Sequence, residues 1–101
     1  MGLPNTHSQL KLRFAPGQAL MTRGVNAYVQ QGMLDPLHYL YRHLAADWGD
    51  LCEQDKRLNQ RALRSGEGRL MSSYRLNENL TLWIITECDR SRTTLLLPDE
   101  Y

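Results

Sequence analysis

The chain has 101 residues, the length of one domain, and twelve Lys and Arg against eleven Asp and Glu give it a net charge of +1. Seven glycines, four prolines and eight aromatics exclude a collagenous, low-complexity or disordered chain. No stretch approaches the roughly 20 apolar residues that cross a bilayer, and the near-neutral balance speaks against both a general nucleic-acid binder and an acidic DNA mimic.

Residues 1–9 read as a flexible tail and 10–101 as a single domain. Leu10, Leu12 and Phe14 alternate with Lys11 and Arg13, the period of a half-buried strand, which Ala15-Pro16-Gly17 then breaks. Thr22 is placed to cap a helix over about 23–31, with Val25, Tyr28 and Val29 inward and Gly32 as its stop. Asp35 and Pro36 open a second helix, in which Leu37, Leu40, Tyr41, Leu44 and Trp48 share one face and which Gly49 ends. Asp50 and Glu53 have the spacing of a capping box for a third helix, about 51–64, expected to bury Leu51, Leu58 and Ala62.

After Gly66 and Gly68 the hydrophobic period becomes pleated. Segment 69–76 predicts a strand, Asn77-Glu78-Asn79 a turn, Leu80 to Thr86 a central strand apolar on both faces, and 93–97 a last strand stopped by Pro98. One strand, three helices and a three-stranded antiparallel meander make an α+β domain with the helices packed on one face of the sheet. The Leu10–Phe14 strand or the last strand is then an open edge through which a homodimer can form.

Cys52 and Cys88 are isolated, and the first residues lack the basic start and apolar run of a signal peptide, so free thiols in a cytoplasmic chain are expected. His38 and His43 lie roughly 140° apart around a helix and no metal-ligand spacing occurs, so neither a metal nor another cofactor is expected. Two clusters remain. On a continuous second helix His43 and Asp47 share a face, with Trp48 beside them; the pair serves either as a general base with its orienting carboxylate or as a charge pair near a helix end. The turn holding Glu87, Asp89, Arg90 and Ser91 concentrates polar groups between two apolar strands. It either holds a ligand or partner, Arg90 clamping a carboxylate or phosphate, or makes the turn through its own backbone bonds. Arg61, Arg64, Arg69 and Arg75 form a basic stripe beside Tyr74, a pattern that is usually a solvated face.

The residues Asp47-Trp48-Gly49, then Trp83-Ile84-Ile85-Thr86-Glu87, Asp89-Arg90-Ser91, Thr93-Thr94, Leu96-Leu97-Pro98 and Glu100-Tyr101 resemble a family of small, uncharacterised bacterial proteins, commonly labelled hypothetical or plasmid-related. The likeness covers about residues 10–101 and implies a mobile-element-associated, stand-alone accessory domain; it carries over no catalytic residue. The reading put first is a non-enzymatic module that contacts a protein through Trp48 and the Glu87–Ser91 turn. A second is a small enzyme acting on nucleic acid or nucleotide, with His43 as base and Asp47 as its orienter, and it requires the two clusters to meet. A third is an inhibitor of a host restriction or CRISPR-type defence system.

Overall fold

The computed structural model describes residues 11–101; the expected tail over 1–9 and Leu10 lie outside the described residues. Three α-helices pack with a four-stranded mixed sheet, so the domain is α+β. The strands are β1 (Gln18–Met21), β2 (Leu70–Asn77), β3 (Leu80–Thr86) and β4 (Arg92–Leu96), in the spatial order β1-β4-β3-β2. β2 and β4 each pair antiparallel with β3, whereas β1 lies parallel to β4, with Gln18 opposite Arg92 and Met21 opposite Leu95. The sheet is therefore mixed rather than purely antiparallel.

The first strand also falls later than the alternation of Leu12 and Phe14 suggests. Residues 11–14 are not a strand. The Arg13 amide donates to the Leu44 carbonyl at 2.8 Å, while Leu12 is exposed and the Phe14 ring turns in against His43 and Trp48. The strand proper is the uncharged Gln18-Ala19-Leu20-Met21, exposed at all four residues, so no buried face marks it by period.

Helix α1 (Arg23–Gln30) begins where expected, the Thr22 hydroxyl accepting from Val25 N–H at 3.3 Å. The Glu100 carboxylate reinforces this corner: it accepts from the Thr22 hydroxyl, Gly24 N–H and Leu97 N–H at 2.5, 3.0 and 2.8 Å, tying the C-terminal 3-10 turn (Pro98–Glu100) to the start of α1. Helix α2 (Pro36–Leu44) is capped by the Asp35 side chain, which accepts from the Leu37 and His38 amides. It stops five residues before Gly49. Ala46 takes the left-handed conformation at φ 65°, and the amides of Ala46 and Asp47 return to the carbonyls of His43 and Arg42 at 3.0 and 2.9 Å. This is a Schellman stop built on alanine where glycine is usual, so the sequence carries no breaker at the true helix end.

Helix α3 (Glu53–Ser65) starts at Cys52 without a side-chain cap, because Asp50 is used elsewhere, and ends at the left-handed Gly66. It buries Asn59 and Ala62 and half-buries Leu63, with Leu51 half-buried just before it, while Leu58 is exposed, against the expected apolar edge. The reason is chemical. Asn59 is drawn inward because its amide completes the ladder of β2, donating to the Met71 carbonyl at 2.6 Å and accepting from the Met71 amide at 3.1 Å.

The main core joins Val25 of α1 and Leu34 to Tyr74, Leu82, Ile84 and Leu95 of the sheet. A second cluster of Trp48, Ala62 and Leu70, flanked by Phe14, Ala46, Leu51 and Leu63, joins the segment after α2 to α3 and the start of β2.

Candidate functional site

His43 is fully buried, and both of its ring nitrogens are bonded to hydroxyls of the sheet. The direction of the protons follows from the far end. Thr93 Oγ1 donates to the Pro16 carbonyl at 2.8 Å, so it accepts from Thr86 Oγ1 at 2.7 Å. Thr86 in turn accepts from Nε2–H at 2.9 Å, which leaves Nδ1 as the acceptor for the Ser72 hydroxyl at 2.5 Å. Ser72, Thr86 and Thr93 are themselves fully buried, and the chain of bonds satisfies them. Burial lowers the His43 pKa from 6.5 to about 3, so the ring is neutral at physiological pH.

Asp47 lies beyond the end of α2 and is not on a helical face with His43. Its carboxylate takes the Arg42 guanidinium at 2.7 Å and the Gly49 amide at 3.2 Å. Partial burial raises its pKa, but the Arg42 hydrogen bond, the Gly49 amide and the Arg42 charge outweigh that effect and hold it below the ordinary value. Arg42 also lies 4.6 Å from the centre of the Tyr74 ring, and the Tyr74 hydroxyl donates to the Asp47 carbonyl at 2.5 Å. The general-base arrangement, His43 oriented by Asp47, is therefore not formed. Trp48 is 3% exposed and serves as core between Phe14 and His43, not as a contact surface.

At the turn after β3, Asp89 accepts from the Ser91 amide at 2.9 Å, the turn-making bond, and the Ser91 side chain, then this amide, lower its pKa. Arg90 sits at φ 62° and sends its guanidinium inward to the carbonyls of Gly68, Glu87, Cys88 and Ala62, at 2.6, 3.2, 3.2 and 3.1 Å. It thus latches the turn to the C-terminal end of α3, where the Ala62 carbonyl also accepts from the Gly66 amide at 3.0 Å. Glu87, Asp89 and Ser91 remain exposed. The two polar clusters singled out in the sequence do not share a bonded site, and among the described residues no group of three or more His, Cys, Asp or Glu comes together.

The two edges of the sheet differ sharply. On β2 the outward groups of Met71 and Ser73 and the Arg75 amide are met from outside the sheet: Met71 by Asn59, the Ser73 amide by the Trp48 carbonyl at 3.2 Å, the Ser73 carbonyl by the Asp50 amide at 2.7 Å, and the Arg75 amide by the Asp50 carboxylate at 2.7 Å. Gly49 makes a single parallel bridge with Ser73, at φ 74° and so close that a Cβ would stand 2.1 Å from the Ser73 carbonyl oxygen. On the opposite side, Gln18 and Thr22 donate to the Ser91 and Leu95 carbonyls at 3.0 Å, so the even-numbered residues of β1 face β4. The amides and carbonyls of Ala19 and Met21 consequently face outward, where no strand of the described residues pairs with them.

Beside that open edge lies a groove of about 160 Å³ lined by Ala19, Leu20, Met21, Pro36, Leu37, Leu40 and Leu95. Leu37, Met21 and Leu20 are 55%, 43% and 37% exposed, three large apolar residues on one groove; Leu12, Met33, Leu58 and Tyr101 are exposed too but do not line it. The sequence holds one signal for it: four uncharged residues without proline between Gly17 and the Thr22 cap.

No family model, no curated protein and no solved structure matches the chain. Among the described residues no helix is long and apolar enough to cross a membrane.

Proposed function

We propose that the chain is a non-enzymatic protein-interaction module whose contact surface is the outer edge of β1 with the groove beside α2. The observation that supports this most is that the outward backbone of Ala19 and Met21, next to exposed Leu37, has no pairing strand among the described residues. Strand addition uses such an edge: the incoming main chain supplies hydrogen bonds, and alternate side chains fill the neighbouring apolar surface. The residues first considered for chemistry have other work. His43 holds the sheet to α2, Asp47 holds Arg42, and Arg90 holds the β3–β4 turn. The resemblance to small, uncharacterised bacterial proteins supplies no reacting residue.

The test is a photo-crosslinking amino acid in place of Leu37, irradiated in producing cells. A discrete adduct heavier than the 11.7 kDa chain is expected, and it should be lost when Ala19→Pro removes the outward amide. Irradiation that leaves only the free chain overturns the reading.

A further inference from the structure

We infer that the occupant of this edge is β1 of a second copy of the chain, paired antiparallel about a two-fold axis through Leu20. The inference rests on the strand-addition reading above and specifies its partner. The pattern of the strand supports it. Met21 and Ala19 lie on the same face, opposite Leu95 and Thr93 of β4, and that face carries α2 and the groove. One is a long exposed side chain and the other is the smallest lining residue of the groove, two positions away.

Antiparallel pairing centred on Leu20 sets position 19 of each copy opposite position 21 of the other. Each Met21 then lies over the partner's Ala19, at the mouth of the groove formed with Pro36, Leu37 and Leu40. On the opposite face Leu20 meets its own symmetry mate, and Gln18 meets Thr22. The outward amides and carbonyls of Ala19 and Met21 form four inter-strand bonds, which leaves no open group among these residues. Moving the two-fold axis by one residue puts Ala19 opposite Ala19, or Met21 opposite Met21, and loses this fit of large against small.

The charges raise no obstacle. No charged residue occurs between Gln18 and Thr22, so two copies place no like charges opposite each other. Natural edges that must stay single carry lysine, proline or an inward charge, and β1 has none of these, whereas the β2 edge is covered by Asp50, Asn59 and the Trp48–Gly49 backbone. Pairing gives one continuous sheet of eight strands, with the two sealed β2 edges at its ends. The contact is isologous and closes at two copies.

Sedimentation of the purified full chain at roughly 10–500 µM is the test, because a contact of one strand and part of a helix belongs at the small, weak end of stable interfaces. A mass of twice 11.7 kDa is expected at the upper concentrations, and Ala19→Pro should be monomeric throughout while melting like the parent. Register is read by Leu20→Cys in a background with the exposed Cys52 and Cys88 changed to serine. Facing positions of a non-hydrogen-bonded pair lie about 4.5 Å apart, within disulfide reach, so Leu20→Cys should form a covalent dimer on mild oxidation and Ala19→Cys should not.

A dimer that survives Ala19→Pro, or that Ala19→Cys locks as readily as Leu20→Cys, places the contact elsewhere and overturns the inference. A wild-type chain that is monomeric across the range also overturns it. In that case a heavier photo-adduct at Leu37 containing a different polypeptide would leave the strand-addition reading standing, and no adduct would remove both.

Discussion

The end of the molecule around β2 and the end around β1 use backbone polarity in opposite ways. At β2, a buried amide, a carboxylate, a glycine crossing and a histidine–hydroxyl chain consume polar groups that would otherwise be exposed or orphaned. At β1, two residues present theirs to the outside beside an apolar groove. The difference teaches that unusual polar density marks the closed part of this domain, and an unremarkable uncharged tetrapeptide marks the open part. Substitutions at the closed end should cost stability without changing association of the folded chain, and those at the open end should do the reverse.

The largest effect is expected at Gly49. Alanine there must hold a left-handed backbone and also displace the Ser73 carbonyl, which would lie 2.1 Å from its Cβ. Strain and overpacking together predict a loss of about 4 kcal/mol by urea unfolding. A Gly49→Ala protein as stable as the parent would show that the crossing does not seal the β2 edge.

His43 comes next, with a signature in pH as well as size. His43→Leu leaves the Ser72 and Thr86 hydroxyls without their ring partners and should cost about 3 kcal/mol at pH 7. In the parent, the folded pKa is about 3 against 6.5, so between those values the unfolded chain binds a proton that the folded chain does not. The contribution is intact above pH 6.5 and is lost as pH falls toward 3, reaching about 2–3 kcal/mol by pH 4.5. His43→Gln should remove this slope between pH 6.5 and 5. Equal slopes in the two proteins would mean that the ring is not held neutral by burial.

Asn59→Ala tests the helix–edge contact directly. It removes two bonds to Met71, and α3 has little apolar surface to compensate, so a loss of about 2 kcal/mol is expected. Amide exchange at Met71 should quicken far more than at Ile84 in the middle of the sheet. Uniform quickening would make Asn59 a general stability residue and not a local seal.

Much of the fold was legible because local signals and burial agreed. Thr22, Asp35-Pro36 and the apolar run Leu80–Ile85 start or fill elements where capping and period say they should. The failures have physical causes. β1 is too short and too exposed to show a period, and its parallel partner is more than 70 residues away in the chain. Asp50 looks like a helix cap, yet it bonds to Arg75 on β2, a choice set by tertiary contact. His43 and Arg90 were conspicuous as residue types, but their roles depend on hydroxyls and carbonyls contributed by distant segments.

The early end of α2 yields the smallest effect and the only gain. A helix running to Gly49 would put Asp47 one turn after His43, and the pairing considered from the sequence would exist. The chain instead turns at Ala46, where a Cβ in the left-handed region costs about 1 kcal/mol relative to glycine. Ala46→Gly removes that cost but gives up a half-buried methyl beside Trp48 and loosens the unfolded chain. The balance predicts a stabilisation of about 0.5 kcal/mol, with the Asp47–Arg42 contact and the His43 slope unchanged. A loss of 1 kcal/mol or more on Ala46→Gly would mean that packing of the Ala46 methyl against the Trp48 cluster, more than backbone conformation, fixes where α2 stops.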